Sequence, residues 1–384
     1  MLIVQKYGGA TLATPEKIKQ VAARISDLKK SGKNIVAVVS AMGQTTNQLI
    51  QLAHEVSENP SLRELDMLLS VGERTSMALL TMALNDLNCP AISFTGSQAG
   101  IFTDESHINA NIIDVKAHRV SEALAKNQVV ILAGFQGVSP ITKEITTLGR
   151  GGSDTTAVAM AAYLNANHCE ILKDVDHIFS ADPKLISEAN PITNLNYDQL
   201  LEMTFWGAKV LHHKSVEMAK NKNVKLYVGP ADEKKILGDS AGTWISSDHT
   251  ANHTFKKNIP LAVNSHVKVL EIEMPEDLFF ADLIKNQIGF PQILKTANNK
   301  LLISGPAEIL SAIEKTYSIK NLNLCSVSLT MSESLTDEIK NQILQKFKSE
   351  NIDIIDQIKS SQTLTLILNM AYKNQAVQIL HGLI

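Results

Sequence analysis

The alternation of two hydrophobic patterns over the first 244 residues is the feature that most restricts the fold of this 384-residue chain. Stretches with helical periodicity separate short apolar, β-branched runs at residues 2–5, 35–39, 91–95, 129–133, 170–173 and 224–228. Several of these runs are apolar throughout, as are strands that are buried on both faces of a parallel sheet. The order predicts an α/β fold, a three-layer αβα sandwich with a mainly parallel central sheet.

The helical stretches between these runs carry recognisable start and stop signals. Pro15 begins a helix whose apolar residues fall on one face, and Gly32 ends it. Residues 65–87 predict one or two further helices, with an interruption near Gly72. Helices of this kind cover the two faces of the predicted sheet.

A change of composition within residues 232–258 marks the start of a second domain. It separates a first domain, residues 1–247, from a second, residues 259–384. After a short strand at 260–264, a βαββα pattern occurs twice, at about 266–318 and 319–384, and its first copy begins with a separate strand at 266–274. The repeat predicts a C-terminal α+β, ferredoxin-like pair of modules, with strand 260–264 pairing with the second. Such modules bind small effectors or form plain dimerisation surfaces, and the pattern leaves both open.

Charge and cysteine usage exclude several classes of function. A formal net charge of -3 provides no basic field for nucleic acid or for an acidic membrane surface. The three cysteines are far apart and lack metal-ligand spacing, so neither a disulfide framework nor a zinc site is expected. No apolar run approaches the about 18 residues of a membrane span, and Met1 leads directly into a strand pattern. We therefore expect a cytoplasmic protein with neither nucleic-acid nor membrane partners.

The segment 146–157 concentrates the requirements of an anion-binding site at one helix start. It reads Thr-Thr-Leu-Gly-Arg-Gly-Gly-Ser-Asp-Thr-Thr-Ala, with Arg150 among three glycines and small helix-forming residues after it. Glycine lets the backbone approach a ligand closely, and the amides of a helix N-terminus attract a carboxylate or phosphate. By itself the segment is equally compatible with a glycine-rich turn in which Ser153 or Asp154 caps the helix.

Polar side chains also follow several of the predicted strands. Where parallel strands end, α/β sheets bind their ligands. Each group also has a structural interpretation, as a turn, a helix cap or a solvated face, and only their joint occurrence favours one site. The groups are Lys6, Gly8 and Gly9 after the first strand, Ser40 and Thr45 after the second, Glu73 beside Gly72, Lys173 and Asp174 at the end of the fifth, and Asp182, Lys184 and Lys209 further on.

Taken together, these segments make the chain resemble the aspartokinases of the amino-acid kinase superfamily over essentially its whole length. The resemblance rests most specifically on Arg-Glu-Leu-Asp at 63–66 and on Gly-Arg-Gly-Gly-Ser-Asp-Thr-Thr-Ala at 149–157. The other matching stretches are residues 6–11, 38–43, 67–73, 133–137, 174–176, 181–183 and 207–212. The family implies ATP-dependent phosphorylation of the L-aspartate side-chain carboxylate, with Mg²⁺ accompanying the nucleotide.

The resemblance also implies a role for each matching residue. Lys6 and Asp154 would be catalytic, with Asp154 organising lysines and substrate rather than removing a proton, and no side chain is assigned as a metal ligand. Aspartate would be held by Ser40, Thr45, Glu73, Arg150, Gly151, Gly152 and Ser153. The nucleotide would contact Lys6, Gly8, Gly9, Ala10, Lys173, Asp174, Phe179, Asp182, Lys184 and Lys209.

Some positions depart from the family pattern. Ala10 and Thr11 replace the usual Thr-Ser, and Lys173, Phe179, Lys184 and His213 stand where Thr, Tyr, Arg and Pro are common. The two C-terminal modules match paired ACT modules, which predict a homodimer, but they lack the Pro-Gly that opens each first helix. We therefore expect weak or absent feedback by lysine and threonine. Two alternatives remain at this point: a catalytically inactive amino-acid-binding regulator, and a kinase for another acidic amino acid.

Overall fold

A computed structural model describes residues 1–208, 210–231, 241–247, 259–285, 291–297, 300–305, 307–319 and 323–384. Contacts divide the chain into two compact units. The first comprises Met1–Ile178, Ile192–Leu201 and Val210–Asn252, and the second comprises Phe179–Pro191, Glu202–Lys209 and His253–Ile384. Two segments that precede residue 247 thus belong to the second unit.

The first 246 residues contain fourteen described strands and eight described α-helices. The strands are β1 Leu2–Tyr7, β2 Asn34–Val39, β3 Ala91–Phe94, β4 Ile101–Thr103, β5 Ile112–Val115, β6 Val129–Ala133, β7 Gln136–Val138, β8 Ile145–Thr147, β9 His168–Lys173, β10 Ile178–Phe179, β11 Pro191–Ile192, β12 Asn194–Asn196, β13 Leu226–Pro230 and β14 Thr243–Ser246. The helices are α1 Pro15–Lys30, α2 Thr45–Val56, α3 Leu62–Leu69, α4 Val71–Asp86, α5 His118–Ala125, α6 Gly152–Tyr163, α7 Tyr197–Phe205 and α8 His213–Asn221.

The central sheet of the first unit has eight strands in the order β12-β14-β13-β9-β1-β2-β6-β3. All of its pairings are parallel except the one between β13 and β14. Strands β2 and β6 are buried almost throughout, which explains their continuous apolar runs. The predicted mainly parallel sheet is therefore confirmed.

Strand β1 lies at the centre of this sheet, between β2 and β9. Lys6 pairs in register with Val38 on one side and with Ile171 on the other. Because β13 is parallel to β9, the carboxyl ends of β2, β1, β9 and β13 meet at one edge. The loops that follow these strands are therefore brought together there.

Two boundaries of the predicted helices follow from local chemistry. Helix α1 begins with Pro15 at its first position, and the Thr14 hydroxyl caps it by accepting a hydrogen bond from the Lys17 amide (3.3 Å). It is followed by Gly32 with φ +82°. The stretch predicted at 65–87 forms two helices, α3 and α4, and the break lies at Ser70 rather than at Gly72.

A second, four-stranded sheet in the first unit was not predicted. It has the order β5-β4-β7-β8, and its strands are only three or four residues long. Such short strands carry too few alternating residues to give a periodic signal. This sheet matters for the site because β8 leads directly into residues 148–152, which we call the glycine-arginine segment.

The second unit contains a six-stranded antiparallel sheet with the order β16-β17-β15-β18-β20-β19. Its strands are β15 Pro260–Glu273, β16 Gln292–Ala297, β17 Lys300–Ser304, β18 Leu324–Met331, β19 Ile354–Lys359 and β20 Thr363–Asn369. Its helices are α9 Glu276–Lys285, α10 Ala307–Thr316, α11 Asp337–Ser349 and α12 Lys373–His381. Each repeat of the sequence pattern contributes three of the strands if β15 is counted with the first.

The long strand β15 joins the two repeats. Its residues from Pro260 to Val269 pair with β18, and those from Leu270 to Glu273 pair with β17. The expected separate strands at 260–264 and 266–274 are thus one strand, interrupted by irregular pairing between His266 and Val269. Polar residues within β15 interrupt its apolar pattern, and for this reason the sequence predicts two strands.

Among the helices of the described residues, none has both the length and the apolar character that a bilayer span requires.

Candidate active site at the carboxyl edge of the parallel sheet

The closest charged contact at this edge joins Lys6 and Asp154. Lys6 Nζ lies 2.7 Å from Asp154 Oδ1, and the two side chains are only 10% and 7% exposed. Lys6 is near the end of β1, and Asp154 lies in the first turn of α6. Strand and helix therefore bring a cation and an anion, 148 positions apart in sequence, into one buried pair.

The environment of Asp154 keeps its carboxyl ionised. Burial on its own raises the pKa of Asp154, but the positive charges of Lys6 and Lys173 outweigh burial and hold the pKa below its usual value. The lowered pKa means that Asp154 is a carboxylate at neutral pH. Asp154 is therefore a buried negative charge in contact with the ammonium of Lys6 and within the electrostatic reach of Lys173.

The glycine-arginine segment forms the turn that opens α6. Gly149 and Gly151 have φ of +71° and +72°, a region that favours glycine. A Cβ at Gly151 would lie 2.1 Å from the His212 Cβ, and one at Gly152 would lie 2.8 Å from the Leu148 Cβ. Positive φ and close packing against neighbouring side chains therefore explain why glycine stands at these positions. Ser153 is buried beside Gly134 at the end of β6, whereas Arg150 is exposed.

A fully buried carboxylate, Asp66, anchors this segment from α3. Its Oδ1 accepts hydrogen bonds from the Thr147 hydroxyl (2.5 Å) and the Ile108 amide (3.1 Å), and its Oδ2 lies 2.6 Å from His107 Nδ1. Burial is the main cause of the raised pKa of Asp66. Sequence analysis assigned no role to Asp66 or His107. The Arg-Glu-Leu-Asp motif was the available signal, but it does not reveal a partner 81 positions away.

Glu73 is a buried acid in the first turn of α4. It accepts a hydrogen bond at Oε1 from the Ala41 amide (3.0 Å), and its Oε2 is buried without a hydrogen-bond partner among the described residues. Burial raises the pKa of Glu73 to about 7, and the nearby charge of Lys6 opposes this rise. Although solvation is the commoner state for an isolated glutamate, Glu73 is only 4% exposed.

The loops after β1 and β2 pack against each other by backbone contacts. A Cβ at Gly9 would lie 2.7 Å from the Ala41 carbonyl oxygen, and the Gly43 amide donates to the Gly9 carbonyl (3.0 Å). Gly8 is less restricted, since a Cβ there would meet Lys6 Nζ only at 3.8 Å. The Thr45 hydroxyl donates to the Met42 carbonyl (2.7 Å), a local contact at the start of α2. Ser40 is half-buried, and its amide donates to the Tyr7 carbonyl (3.1 Å).

A cavity of about 520 Å³ opens beside these loops, and we call it the strand-end cavity. It lies at the ends of β9 and β13, next to the loop after β1 and the first turns of α1. Its lining comprises Ala10, Thr11, Lys17, Gln20, Val21, Lys173, Asp174, Asp176, Pro230 and Ala231. Its volume falls within the range of about 300–1,000 Å³ that is usual for small-molecule sites.

Lys173 connects this cavity to the Lys6–Asp154 pair. Burial lowers the pKa of Lys173, while the charge of Asp154 acts in the opposite direction. Its ammonium donates a hydrogen bond to the Val210 carbonyl. His212 also belongs to this group, since it packs on Gly151, and burial lowers its pKa. Sequence analysis gave His212 no role, although it lies in a matching stretch, 207–212.

Three of the expected nucleotide-site residues belong to the second compact unit, and a fourth is not described. Phe179, Asp182 and Lys184 belong to the second unit. Asp182 Oδ1 there accepts a hydrogen bond from the Lys184 amide (2.9 Å), which is a turn. Their neighbours Ala181 and Ile186 are in the core formed by β18, β20 and α12. Lys209 lies outside the described residues.

The described residues contain no group of three or more side chains suited to hold a metal ion. Mg²⁺ that accompanies a nucleotide does not need one, because it is held largely by phosphates and water with one or two carboxylates. Asp174 and Asp176 line the strand-end cavity and are of the right type. These two carboxylates therefore fit an Mg²⁺ ion that arrives with a nucleotide.

Some known proteins resemble the N-terminal part of this chain, and others resemble it along nearly its whole length. Residues 1–230 match the model of the amino acid kinase family. An aspartokinase of Mycolicibacterium smegmatis is 53% identical over 242 residues, which are 63% of this chain and 56% of that protein. The chain thus spans about half the length of that relative. An aspartokinase of Geobacillus stearothermophilus is 36% identical over 99% of this chain and 96% of its own length.

Solved structures extend the similarity to the fold. E. coli aspartokinase III, in a complex with aspartate and ADP, has a TM-score of 0.78 at 21% identity and covers 100% of this chain and 99% of its own. Aspartate kinase from Synechocystis is 31% identical, with a TM-score of 0.58, and covers 100% of this chain and 69% of its own. The family match over more than half of the chain and the nearly end-to-end relative identify the chain as a member of the amino acid kinase family, among the aspartokinases.

Proposed function

We propose that the chain phosphorylates the side-chain carboxylate of L-aspartate with ATP and releases 4-phospho-L-aspartate and ADP. The observation that carries this proposal is the buried Lys6–Asp154 pair at the edge where the parallel strands end. An ionised Asp154 fixes the ammonium of Lys6 at a place where phosphoryl charge is to be neutralised. Phosphoryl transfer depends mainly on such positioning and electrostatic stabilisation.

The opening of α6 and the buried acid on α4 supply the aspartate site of this proposal. Arg150 forms a two-pronged contact with the α-carboxylate, while the unpartnered Oε2 of Glu73 accepts from the α-ammonium. Ser153, with the backbone at Gly151 and Gly152, completes the aspartate site at the helix start. Ser40 and Thr45 orient the substrate from the loop after β2. These contacts leave the side-chain carboxylate facing the phosphates.

The strand-end cavity holds the nucleotide in this proposal. Gly8, Gly9 and Ala10 present backbone to the phosphates, and Lys173 and Asp174 contact the nucleotide from the end of β9. Phe179, Asp182, Lys184 and Lys209 remain proposed nucleotide residues by family resemblance alone. Asp174 and Asp176 would hold an Mg²⁺ ion that accompanies the phosphates, and the ion would neutralise part of their charge.

The reaction needs no strong base, because the attacking carboxylate is already ionised at neutral pH. One of its oxygens forms a bond to the γ-phosphorus while the bond from that phosphorus to the β–γ bridging oxygen breaks. The electron pair leaves with ADP. Lys6 stabilises the negative charge of the transferring group, and Asp154 keeps Lys6 in place.

The C-terminal sheet supports a further part of the proposal. Its two βαββα repeats correspond to a pair of ACT-like modules, with the catalytic domain at 1–247 and the modules within 259–384, and such modules join two chains into a homodimer. We also predict that the protein is cytoplasmic and that its reaction is the first step of lysine, threonine and methionine synthesis. Feedback by lysine or threonine is expected to be weak, and strong inhibition at sub-millimolar concentration of either would contradict this.

A substrate panel tests the proposed activity. The purified chain is incubated with ATP, Mg²⁺ and hydroxylamine, which traps acyl phosphates as hydroxamates, and L-aspartate is compared with L-glutamate and other acidic amino acids. Hydroxamate formation that depends on L-aspartate supports the proposal. A preference for another acid identifies a different amino-acid kinase, and binding of aspartate without any turnover identifies an inactive regulator.

A further inference from the structure

The strand-end cavity contains a lysine to which family resemblance assigns no role. Lys17 lies in the first turn of α1 and lines the cavity together with Gln20, one helical turn further on. The same cavity is lined by Lys173 and Asp174, which the proposed function assigns to the nucleotide. Helix α1 therefore contributes a cation and an amide to the cavity, opposite the end of β9.

A contact with the first loop fixes the position of the Lys17 ammonium. Its Nζ donates a hydrogen bond to the carbonyl oxygen of Ala10 (2.8 Å). A lysine ammonium has three donors, so two remain for other acceptors. The partner is a neutral carbonyl, which does not neutralise the charge. Ala10 is exposed and carries only a methyl group, so its side chain supplies no hydroxyl at this place.

The other two lysines of the site are more strongly engaged with protein groups. Lys6 is paired with the carboxylate of Asp154, and Lys173 is half-buried and donates to the Val210 carbonyl. A nucleotide brings several negative charges into the cavity, which two such lysines do not balance alone. Lys17 provides a further positive charge, and its ammonium lies within hydrogen-bond distance of the Ala10 carbonyl at the cavity wall.

We propose that Lys17 is a phosphate-binding residue of the nucleotide, donating to a non-bridging phosphate oxygen, and that Gln20 lines the same subsite; this rests on the proposed kinase function. Lys17 contributes to nucleotide affinity and not to the transfer step, because it lies on the cavity side of the first loop and not with the Lys6–Asp154 pair. The loss of its charge therefore affects the KM for ATP more than kcat.

The test compares Lys17→Gln with Lys19→Gln in the complete chain. Lys19 is exposed on the same helix and lines a different groove, between α1 and α4, so it is a matched control for charge. We expect Lys17→Gln to weaken ADP binding and raise the KM for ATP by about five- to twenty-fold, with kcat within about twofold of the wild type. Lys19→Gln leaves all three unchanged, and Lys17→Arg retains most of the affinity.

Adenosine separates a phosphate contact from one to the base or ribose. Lys17→Gln is expected to bind adenosine as the wild type does while binding ADP more weakly. Equal affinity of wild type and Lys17→Gln for ADP overturns the inference, as does an equal loss for ADP and adenosine. If the wild type binds ADP but does not phosphorylate aspartate, the proposed function fails while the Lys17 result still decides this inference.

Discussion

The carboxylate of Asp66 accepts a hydrogen bond from the hydroxyl of Thr147 at 2.5 Å, and this contact ties α3 to the strand that leads into the glycine-arginine segment. Asp66 is fully buried and also holds the Ile108 amide and the His107 ring. Thr147 is two positions before Gly149, whose positive φ begins the turn. Asp66 thus positions the site without belonging to it.

Replacing Asp66 is expected to loosen the turn before it destroys the fold. Asp66→Ala leaves the buried Thr147 hydroxyl and the half-buried Ile108 amide and His107 ring without this acceptor, which costs about 2–4 kcal/mol of unfolding free energy. Asp66→Asn, which keeps one acceptor oxygen, costs less. Urea unfolding measures the loss of unfolding free energy, and the KM for aspartate measures the loosening of the turn. A purely structural role predicts lost stability with an unchanged KM in the folded variant, which would contradict our view.

The raised pKa of Glu73 predicts a pH dependence of aspartate binding near neutrality. Since burial raises this pKa to about 7, Glu73 is largely neutral at pH 6 and largely charged at pH 8. Only the charged form attracts an ammonium group, so the KM for aspartate should fall as pH rises from 6 to 8. In Glu73→Gln this dependence should vanish and the KM should stay high. A wild-type pH profile in the variant would remove Glu73 from the substrate site.

The raised pKa of Glu73 also makes the stability of the folded protein depend on pH. The folded-state pKa of Glu73 lies above its unfolded value of 4.5, so its contribution to stability is full below that value and declines as pH rises through about 7. Glu73→Gln has no titratable carboxyl group at this position, so this decline in stability is absent from the variant. Relative to wild type, the variant should therefore be more stable at pH 8 than at pH 5, as thermal unfolding at the two values can show.

Gly151 and Gly32 provide a matched pair for testing why the turn needs glycine. Both have positive φ, but a Cβ at Gly151 would lie 2.1 Å from the His212 Cβ, whereas one at Gly32 would meet nothing within 4 Å. Gly32→Ala should cost about 1–2 kcal/mol through backbone strain alone. Gly151→Ala should cost more and should also abolish aspartate binding. Equal unfolding free energies for the two variants would show that the contact with His212 is unimportant.

A buried network on the other face of β1 is expected to support the position of Lys6. Glu170 is fully buried, accepts a hydrogen bond from Gln5 Nε2 (2.7 Å), and lies 2.9 Å from His168 Nε2 and 4.0 Å from an Arg24 nitrogen. Removing this carboxylate leaves buried donors and a buried charge, which costs about 3–5 kcal/mol in Glu170→Ala. Denaturant unfolding measures the loss, and Glu170→Gln should recover part of it. A loss below 1 kcal/mol in Glu170→Ala would show that the network adds little.

The sequence predicts the parts of the molecule that depend on local pattern. The buried strands β2 and β6 are long apolar runs, and helix α1 has both a proline start and an apolar face, so these elements were found. The short strands β4, β5, β7 and β8 lack a period and were not. Strand β15 was divided in two because polar residues interrupt its apolar pattern.

Some residues of the candidate site have a local sequence signal, and others do not. Motifs near a strand end or at helix starts predict Lys6, Glu73 and Asp154 as candidate site residues, but the burial of Glu73 depends on tertiary structure, including its contact with Ala41. Asp66, His107 and His212 act through partners distant in sequence, which no local pattern reveals. For Lys17, which we propose as a phosphate ligand, the sequence carries no signal, because it resembles any solvated lysine of an amphipathic helix.

The rate of aspartyl hydroxamate formation by the wild type and by Asp154→Ala tests the central claim most directly. Asp114→Ala, at an exposed position of β5, is the control. We expect the wild type and the control to convert L-aspartate and ATP, and Asp154→Ala to lose activity by at least about a hundredfold while remaining folded. Wild-type-like turnover by folded Asp154→Ala would contradict the assignment of the Lys6–Asp154 pair as the transfer centre.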